Sequence, residues 1–275
     1  MSHPPAWLAT AIDVVLRAGE VQIRHLGGDL QIDKKGPIDL VTRVDLEVER
    51  MCRDTIAERF PDHGVLAEEF ENDRTGARHR WVFDPVDGTV NYAHGLPIFC
   101  SCLALEVDGR PEVAAVFDPT RRELYTAERG VGAWLNGAPL RVSGAGAVLD
   151  ALLCTGFPYD VHETVDEVVG LFAAFVARAR AVRRLGSAAL DLCYVAAGRL
   201  DGLTDSARVM LLREGDPIVH PLTGEVLGIP QEPVGRVRVF RLQDHSARAR
   251  LEHAYSTPAV DDLAEFDKSA PSEPV

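Results

Sequence analysis

The sequence predicts a layered α/β fold, and three observations carry that prediction. Apolar residues recur at helical spacing in two N-terminal stretches. Two short apolar runs each end in carboxylates. Residues 100–143 then alternate β-rich runs with Asp-Gly, Asp-Pro, Arg-Gly and Asn-Gly turns, the pattern of an antiparallel meander.

Taken in order, positions 8, 11, 12, 15, 16, 19 and 23 lie on one face of a helix running from Trp7 to about Leu26, and Gly27 and Gly28 end it. The stretch QIDKKGPIDLVT reads as a short hairpin around Gly36 and Pro37. Helical spacing returns from Thr42 to Phe60, with Asp45 near the start. HGVLA (63–67) leads as a strand into Glu68 and Glu69, and RWVF (80–83) leads as a strand into Asp84. After the meander come a strand near 149–154, a helix near 163–180 and a tightly packed helix in SAALDLCYVAAGRLDG. Beyond residue 205 helical periodicity disappears; prolines, glycines and the alternating RVRVFRL predict a small β-rich module over 206–250, followed by an acidic, partly disordered tail over 251–275. Residues 1–205 form the principal domain on this reading.

The chain has 275 residues, 46% of them hydrophobic, enough for a substantial core. A net charge of -13 opposes tracking along nucleic acid or an anionic membrane, so neither is expected as a partner. The N-terminus carries no basic leader, and no apolar run approaches spanning length, which predicts a cytoplasmic protein. Five cysteines, an odd number scattered through apolar contexts, read as reduced core thiols. His63, His79, His220 and His245 have no ligand-like spacing.

The chemistry concentrates in WVFDPVDGTVNYAHGLP (81–97). Asp84 and Asp87 stand three positions apart, Pro85 restricts the backbone between them, Gly88 releases it, and Thr89 adds a hydroxyl. With Glu68 and Asp45, four carboxylates sit at strand ends or helix starts. Side by side they would repel one another and titrate high unless a cation neutralised them. Hard oxygen donors of this kind suit Mg2+ or Mn2+ rather than zinc. For Asp45 or Asp84 taken alone, capping of a helix or turn is the simpler account.

Four segments, KKGPIDLVTRVD (34–45), LAEE (66–69), DPVDGTVNYAHGLP (84–97) and GSAALDLCYVAAGRLDG (186–202), resemble the inositol monophosphatase family in order and separation. The resemblance covers about residues 5–205. It implies a layered αβαβα sandwich whose C-terminal half is here incomplete and replaced by the small β-rich segment. It also implies a metal-dependent, lithium-sensitive phosphomonoesterase for inositol monophosphate or a related small polyol phosphate. Glu68, Asp84, the Val86 carbonyl and Asp87 would ligate the metal; Asp45 and Thr89 would orient the attacking water, with Glu68 also in the catalytic set. Gly88 and Thr89 would meet the phosphate, while Lys34, Gly186, Ser187, Ala188 and Asp205 would line the substrate cleft. A homodimer is compatible with it, and His94 matches the family loop as a structural residue.

One element departs from the pattern: the family's late Trp-Asp pair, about seven residues past the position of Asp205, falls here on Leu212. Two alternatives therefore accompany the leading one. The chain could be a catalytically weak or inactive relative acting as a metal-binding or interaction module, or a phosphatase for fructose bisphosphate or nucleotide 3′-phosphates.

Overall fold

The computed structural model describes residues 5–28, 33–34, 40–70, 76–157, 161, 165–205, 208–214, 218–219, 226–228, 231–243 and 246–254, with side chains described only as far as Thr204. The chain divides into two compact units, Met1–Cys154 with Arg183–Leu203, and Thr155–Val182 with Thr204–Val275.

In chain order the elements are α1 (Pro5–His25), β1 (Asp33–Lys34), β2 (Leu40–Val41), α2 (Arg43–Arg59), β3 (Gly64–Ala67), β4 (His79–Asp87), α3 (Thr89–Ala93), β5 (Cys100–Val107), β6 (Arg110–Asp118), β7 (Glu123–Glu128), β8 (Gly132–Leu135) and β9 (Ala138–Pro139). There follow β10 (Leu152–Gly156), α4 (Val165–Val176), β11 (Ala181–Arg183), α5 (Ala188–Ala196), β12 (Gly202–Asp205), β13 (Arg208–Glu214), β14 (Ile218–Val219), β15 (Val226–Gly228), β16 (Gln231–Gln243) and β17 (Ser246–Ala254).

The first unit is built on a seven-stranded sheet of order β3-β4-β5-β6-β7-β8-β9. β3 runs parallel to β4 and every later neighbour is antiparallel. Period-two alternation along β5 sends Leu103 and Leu105 to one face, where they join Val14, Val15, Val48, Ile56, Trp81 and Phe83 under α1 and α2. Cys100 and Cys102 turn to the other face and join Val116, Tyr125 and Leu190 under α5. Helices therefore cover both faces. Close packing of α1 on β6 explains the glycine within its apolar stripe: a Cβ on Gly19 would lie 2.5 Å from Phe117 Cδ1.

The expected ends of the two N-terminal helices have local causes. α1 stops where Gly27 takes a φ of +77° and Gly28 N–H bonds the His25 carbonyl. Thr42 caps α2 in a reciprocal capping box with Asp45. β1 and β2 pair antiparallel, Asp33 opposite Val41 and Lys34 opposite Leu40; the turn expected at Gly36 and Pro37 lies outside the described residues.

Elsewhere the structure corrects the expectation. β4 does not end at Phe83 but stays paired with β5 to Asp87, with Asp84 opposite Cys102 and Asp87 opposite Cys100 across a register shift. The two aspartates thus sit on a bulged strand end rather than in a loop beyond it. The strand expected at 149–154 begins only at Leu152, after a 3-10 turn over Val148–Asp150. The helix expected to reach 180 stops at Val176, where the Arg178 and Ala179 N–H groups both turn to the Phe175 carbonyl.

In the second unit β16 pairs antiparallel with both β13 and β17, β14 pairs with β15, and α4 lies against β16. The alternating RVRVFRL is the C-terminal half of β16. Leu212 lies on β13, opposite Pro233 at a break in register. Among the described residues no helix is long and apolar enough to cross a membrane.

Candidate active site

Three backbone ends bring the candidate carboxylates toward one another. α2 supplies Asp45 in its first turn, β3 runs out into Glu68, and the bulged end of β4 carries Asp84 and Asp87. β3 and β4 are parallel and adjacent, with Ala67 opposite Phe83, so Glu68 and Asp84 follow equivalent positions on neighbouring strands.

Asp45 is 2% exposed, and its Oδ2 accepts from the Thr42 N–H at 2.8 Å and the Thr42 hydroxyl at 2.5 Å. Burial pushes its carboxyl above the ordinary range, the Thr42 hydrogen bonds oppose the rise, and the Glu68 charge adds to it. Asp84 Oδ1 accepts from the Val86 N–H at 3.1 Å. Burial first, and then the charges of Asp87, Glu68 and Asp45, hold Asp84 well above the usual carboxylate range. All three neighbours push in the same direction.

Asp87 is engaged differently. Its Oδ2 accepts from Ser187 Oγ at 2.6 Å and the Ala189 N–H at 2.7 Å, and its Oδ1 accepts from the Ala188 N–H at 3.2 Å. The carboxylate thus closes the N-terminus of α5, where unpaired N–H groups favour an anion. Buried Cys100 lies against the same carboxylate, its Sγ 3.7 Å from Asp87 Oδ2; burial and the Asp87 charge hold that thiol well above its ordinary value.

Gly88 begins α3 with a φ of +95°, and a Cβ there would lie 2.9 Å from the Ile98 carbonyl oxygen. The Thr89 hydroxyl donates to the Val86 carbonyl at 2.8 Å. Asn91 Nδ2 donates to the carbonyls of Ile98 and Leu185, both at 2.8 Å, stitching α3 to the segment that leads into Gly186.

Of the residues singled out in the sequence, these bonds join Asp84, Val86 and Thr89 in one group and Asp87, Ser187 and Ala188 in another; Asp87 and Gly88 link the two groups along the chain, and Gly186 directly precedes Ser187. Asp45 and Glu68 reach Asp84 through their charges. The Lys34 and Asp205 side chains lie outside the described residues, and Asp205 belongs to the second unit. Among the described residues no three His, Cys, Asp or Glu side chains are gathered tightly enough to hold an ion as they stand. The donors nevertheless fit a hard divalent cation in type: carboxylates and a carbonyl, with like charges converging on Asp84. Asp87 would exchange its bonds from α5 for such an ion.

Several residues of the site escaped the sequence. Glu49, fully buried on α2, accepts from the N–H groups of Glu69 and Phe70, next to Glu68. Asp191 on α5 is 2% exposed with no hydrogen-bond partner at Oδ1; burial and the Asp87 charge, opposed by Arg184, push its carboxyl up to about 7. All five cysteines are free. The one available sequence signal was the four-residue spacing of Asp45 and Glu49, which places both on one face of α2.

The sequence profile of the inositol monophosphatase family matches residues 5–214, past the limit near 205 that the motifs suggest. An inositol-1-monophosphatase of Rhizobium meliloti (strain 1021) is 40% identical over 220 residues, 76% of this chain and 83% of that protein. Nus factor SuhB of Escherichia coli (strain K12) is 41% identical over 204 residues, 71% of this chain and 76% of that protein. Among solved structures, extragenic suppressor protein suhB from Bartonella henselae is similar with a TM-score of 0.68 at 36% identity, covering 73% of this chain and 78% of that one.

Proposed function

This chain belongs to the inositol monophosphatase family of metal-dependent phosphatases, and we propose that it is a Mg2+-dependent phosphomonoesterase for inositol monophosphate or a similarly small polyol phosphate, working in the cytoplasm. The observation that carries this reading is the convergence at the adjacent ends of β3 and β4 of Glu68, Asp84 and Asp87, with Asp45 from α2, whose charges together with burial raise the Asp84 carboxyl above its ordinary range. Such a concentration of like charge is costly in a metal-free protein and useful in one that binds a divalent cation.

On this reading Glu68, Asp84, the Val86 carbonyl and Asp87 would hold the metal, with Mn2+ able to replace Mg2+ and Li+ inhibiting. Bound divalent ions lower the pKa of a coordinated water and neutralise the leaving alkoxide. Asp45, next to Glu68 and fixed by Thr42, orients the attacking water together with Thr89. The Gly88 and Thr89 N–H groups face the phosphate, Lys34 lines the same cleft, and Gly186, Ser187 and Ala188 receive the hydroxyls of the substrate. Positioning and charge compensation supply most of phosphoryl-transfer catalysis, so no protein nucleophile is required.

The test is phosphate release from inositol 1-phosphate with and without Mg2+, beside fructose 1,6-bisphosphate and a nucleotide 3′-phosphate. Release that depends on metal and favours the inositol ester supports the proposal. No release from any of the three at millimolar Mg2+ ends it.

Leu212 favours a second reading. It lies on β13, and the sequence resemblance aligns it with the family's late metal-ligating aspartate. A member lacking that ligand would bind one ion well and turn over slowly, serving as a metal-binding or interaction module. Relatives named Nus factor SuhB agree with an interaction role, so the exclusion of nucleic acid drawn from net charge is not part of this reading. Calorimetry that finds a single Mg2+ site, with no phosphate release, would favour it.

A further inference from the structure

Building on the proposal that this site takes a divalent cation, we propose that Glu49 is a positioning residue for Glu68, clamping the turn after β3 and thereby setting the affinity for the metal. Glu49 is 0% exposed and lies one helical turn after Asp45 on α2. Its Oε2 accepts from the Glu69 N–H at 2.7 Å, and its Oε1 accepts from the Phe70 N–H at 3.1 Å and from Arg53 Nε at 2.8 Å. Arg53 also donates to the Phe70 carbonyl at 3.2 Å. The Arg50 and Arg53 guanidinium groups stand 5.7 and 5.9 Å from the centre of the Phe70 ring.

A fully buried carboxylate is tolerated only when its oxygens are satisfied, and here two main-chain N–H groups and a guanidinium satisfy them. The clamp falls at a particular place. β3 ends at Ala67, Glu68 follows with its side chain exposed, and the next two N–H groups are the ones Glu49 holds. Fixing the backbone at 69 and 70 fixes the direction in which Glu68 leaves the strand. The same helix presents Asp45 directly, so α2 sets two of the four carboxylates at once. Outer-shell partners of this kind tune metal affinity by orienting the ligand rather than by touching the ion.

Two variants of the full chain test this, Glu49→Gln, which sets an amide N–H against the clamped groups, and Arg53→Lys, which leaves Glu49 in place but removes the guanidinium fork. Mg2+ alone is titrated by calorimetry, and hydrogen exchange is followed at the amides of Glu69 and Phe70. Glu49→Gln should bind Mg2+ roughly ten- to a hundredfold more weakly, with faster exchange at both amides. Arg53→Lys should move both readouts in the same direction by less. Should Glu49→Gln fail to fold, Arg53→Lys is read by the same criterion. A folded variant that binds Mg2+ as tightly as the parent, or more weakly without faster exchange at 69 and 70, overturns the proposal. A parent that binds Mg2+ yet releases no phosphate defeats the phosphatase reading while leaving the role of Glu49 to the binding ratio; a parent that binds no Mg2+ overturns both.

Discussion

Ser187 Oγ donates a 2.6 Å hydrogen bond to Asp87 Oδ2, joining residues 100 positions apart in the chain. The same hydroxyl caps α5 by accepting from the Leu190 N–H. Ser187→Ala removes both interactions, and the expected cost is about 1–2 kcal/mol. Urea unfolding should show a lower midpoint with an unchanged slope. Ser187→Thr, which keeps the hydroxyl, should recover most of the loss. An alanine variant with the parent midpoint would mean that the two backbone donors of α5 hold Asp87 unaided.

Asp84 predicts an opposition between stability and function. Its carboxyl titrates above its unfolded value, so its contribution to stability is fully present below the unfolded pKa of 3.8 and is lost as pH rises through the folded value. At neutral pH, Asp84→Asn should therefore raise the melting temperature of protein stripped of metal with a chelator. Added Mg2+ should stabilise the parent by ~2.7 kcal/mol at a hundredfold excess over Kd. The variant should lose that gain, together with metal-dependent phosphate release. If the asparagine variant melts below the chelated parent, charge repulsion is not what governs Asp84.

His63 carries the opposite pH sign. Trp81 Nε1 donates to His63 Nδ1 at 3.0 Å, which requires that nitrogen to be unprotonated, and the His79 ring stacks 4.6 Å away. Burial, with the His79 charge adding to it, lowers the pKa of His63, while Asp62 opposes. Its contribution to stability is present above pH 6.5, the unfolded value, and is lost as pH falls through the folded value. An NMR titration should place the His63 midpoint below 6.5, and His79→Gln should move it upward. A parent midpoint above 6.5 would contradict the neutral acceptor.

Gly88→Ala should be costly for two independent reasons. The φ of +95° is strained for any L side chain, and the new Cβ would meet the Ile98 carbonyl oxygen at 2.9 Å. The backbone conformation alone is expected to cost about 1–3 kcal/mol. A lower melting temperature and weaker Mg2+ binding should appear together, because Gly88 follows Asp87 directly. Tight Mg2+ binding in a destabilised variant would show that the turn serves the fold and not the site.

How much of this was legible depends on the range of the forces involved. The cap of α2, the end of α1 at Gly27 and the two strands running into carboxylates are local events, decided by residues within a turn or a strand of one another, and the sequence shows them directly. Asp45, Glu68, Asp84 and Asp87 were recognisable as a set for the same reason: each follows a short apolar run or opens a helical one.

The register of β4 on β5 is a different matter. Pairing that continues through the shift to Cys100 keeps Asp87 on the strand, and from there its carboxylate meets Ser187, Ala188 and Ala189. Trp81 with His63, and Glu49 with the turn after Glu68, likewise arise where separate elements pack. No local pattern encodes such contacts. Residue types and their spacing in the chain establish which groups are available for chemistry. Sheet register and helix packing establish which of them touch, because buried hydrogen-bonding groups must find partners wherever the folded backbone leaves them.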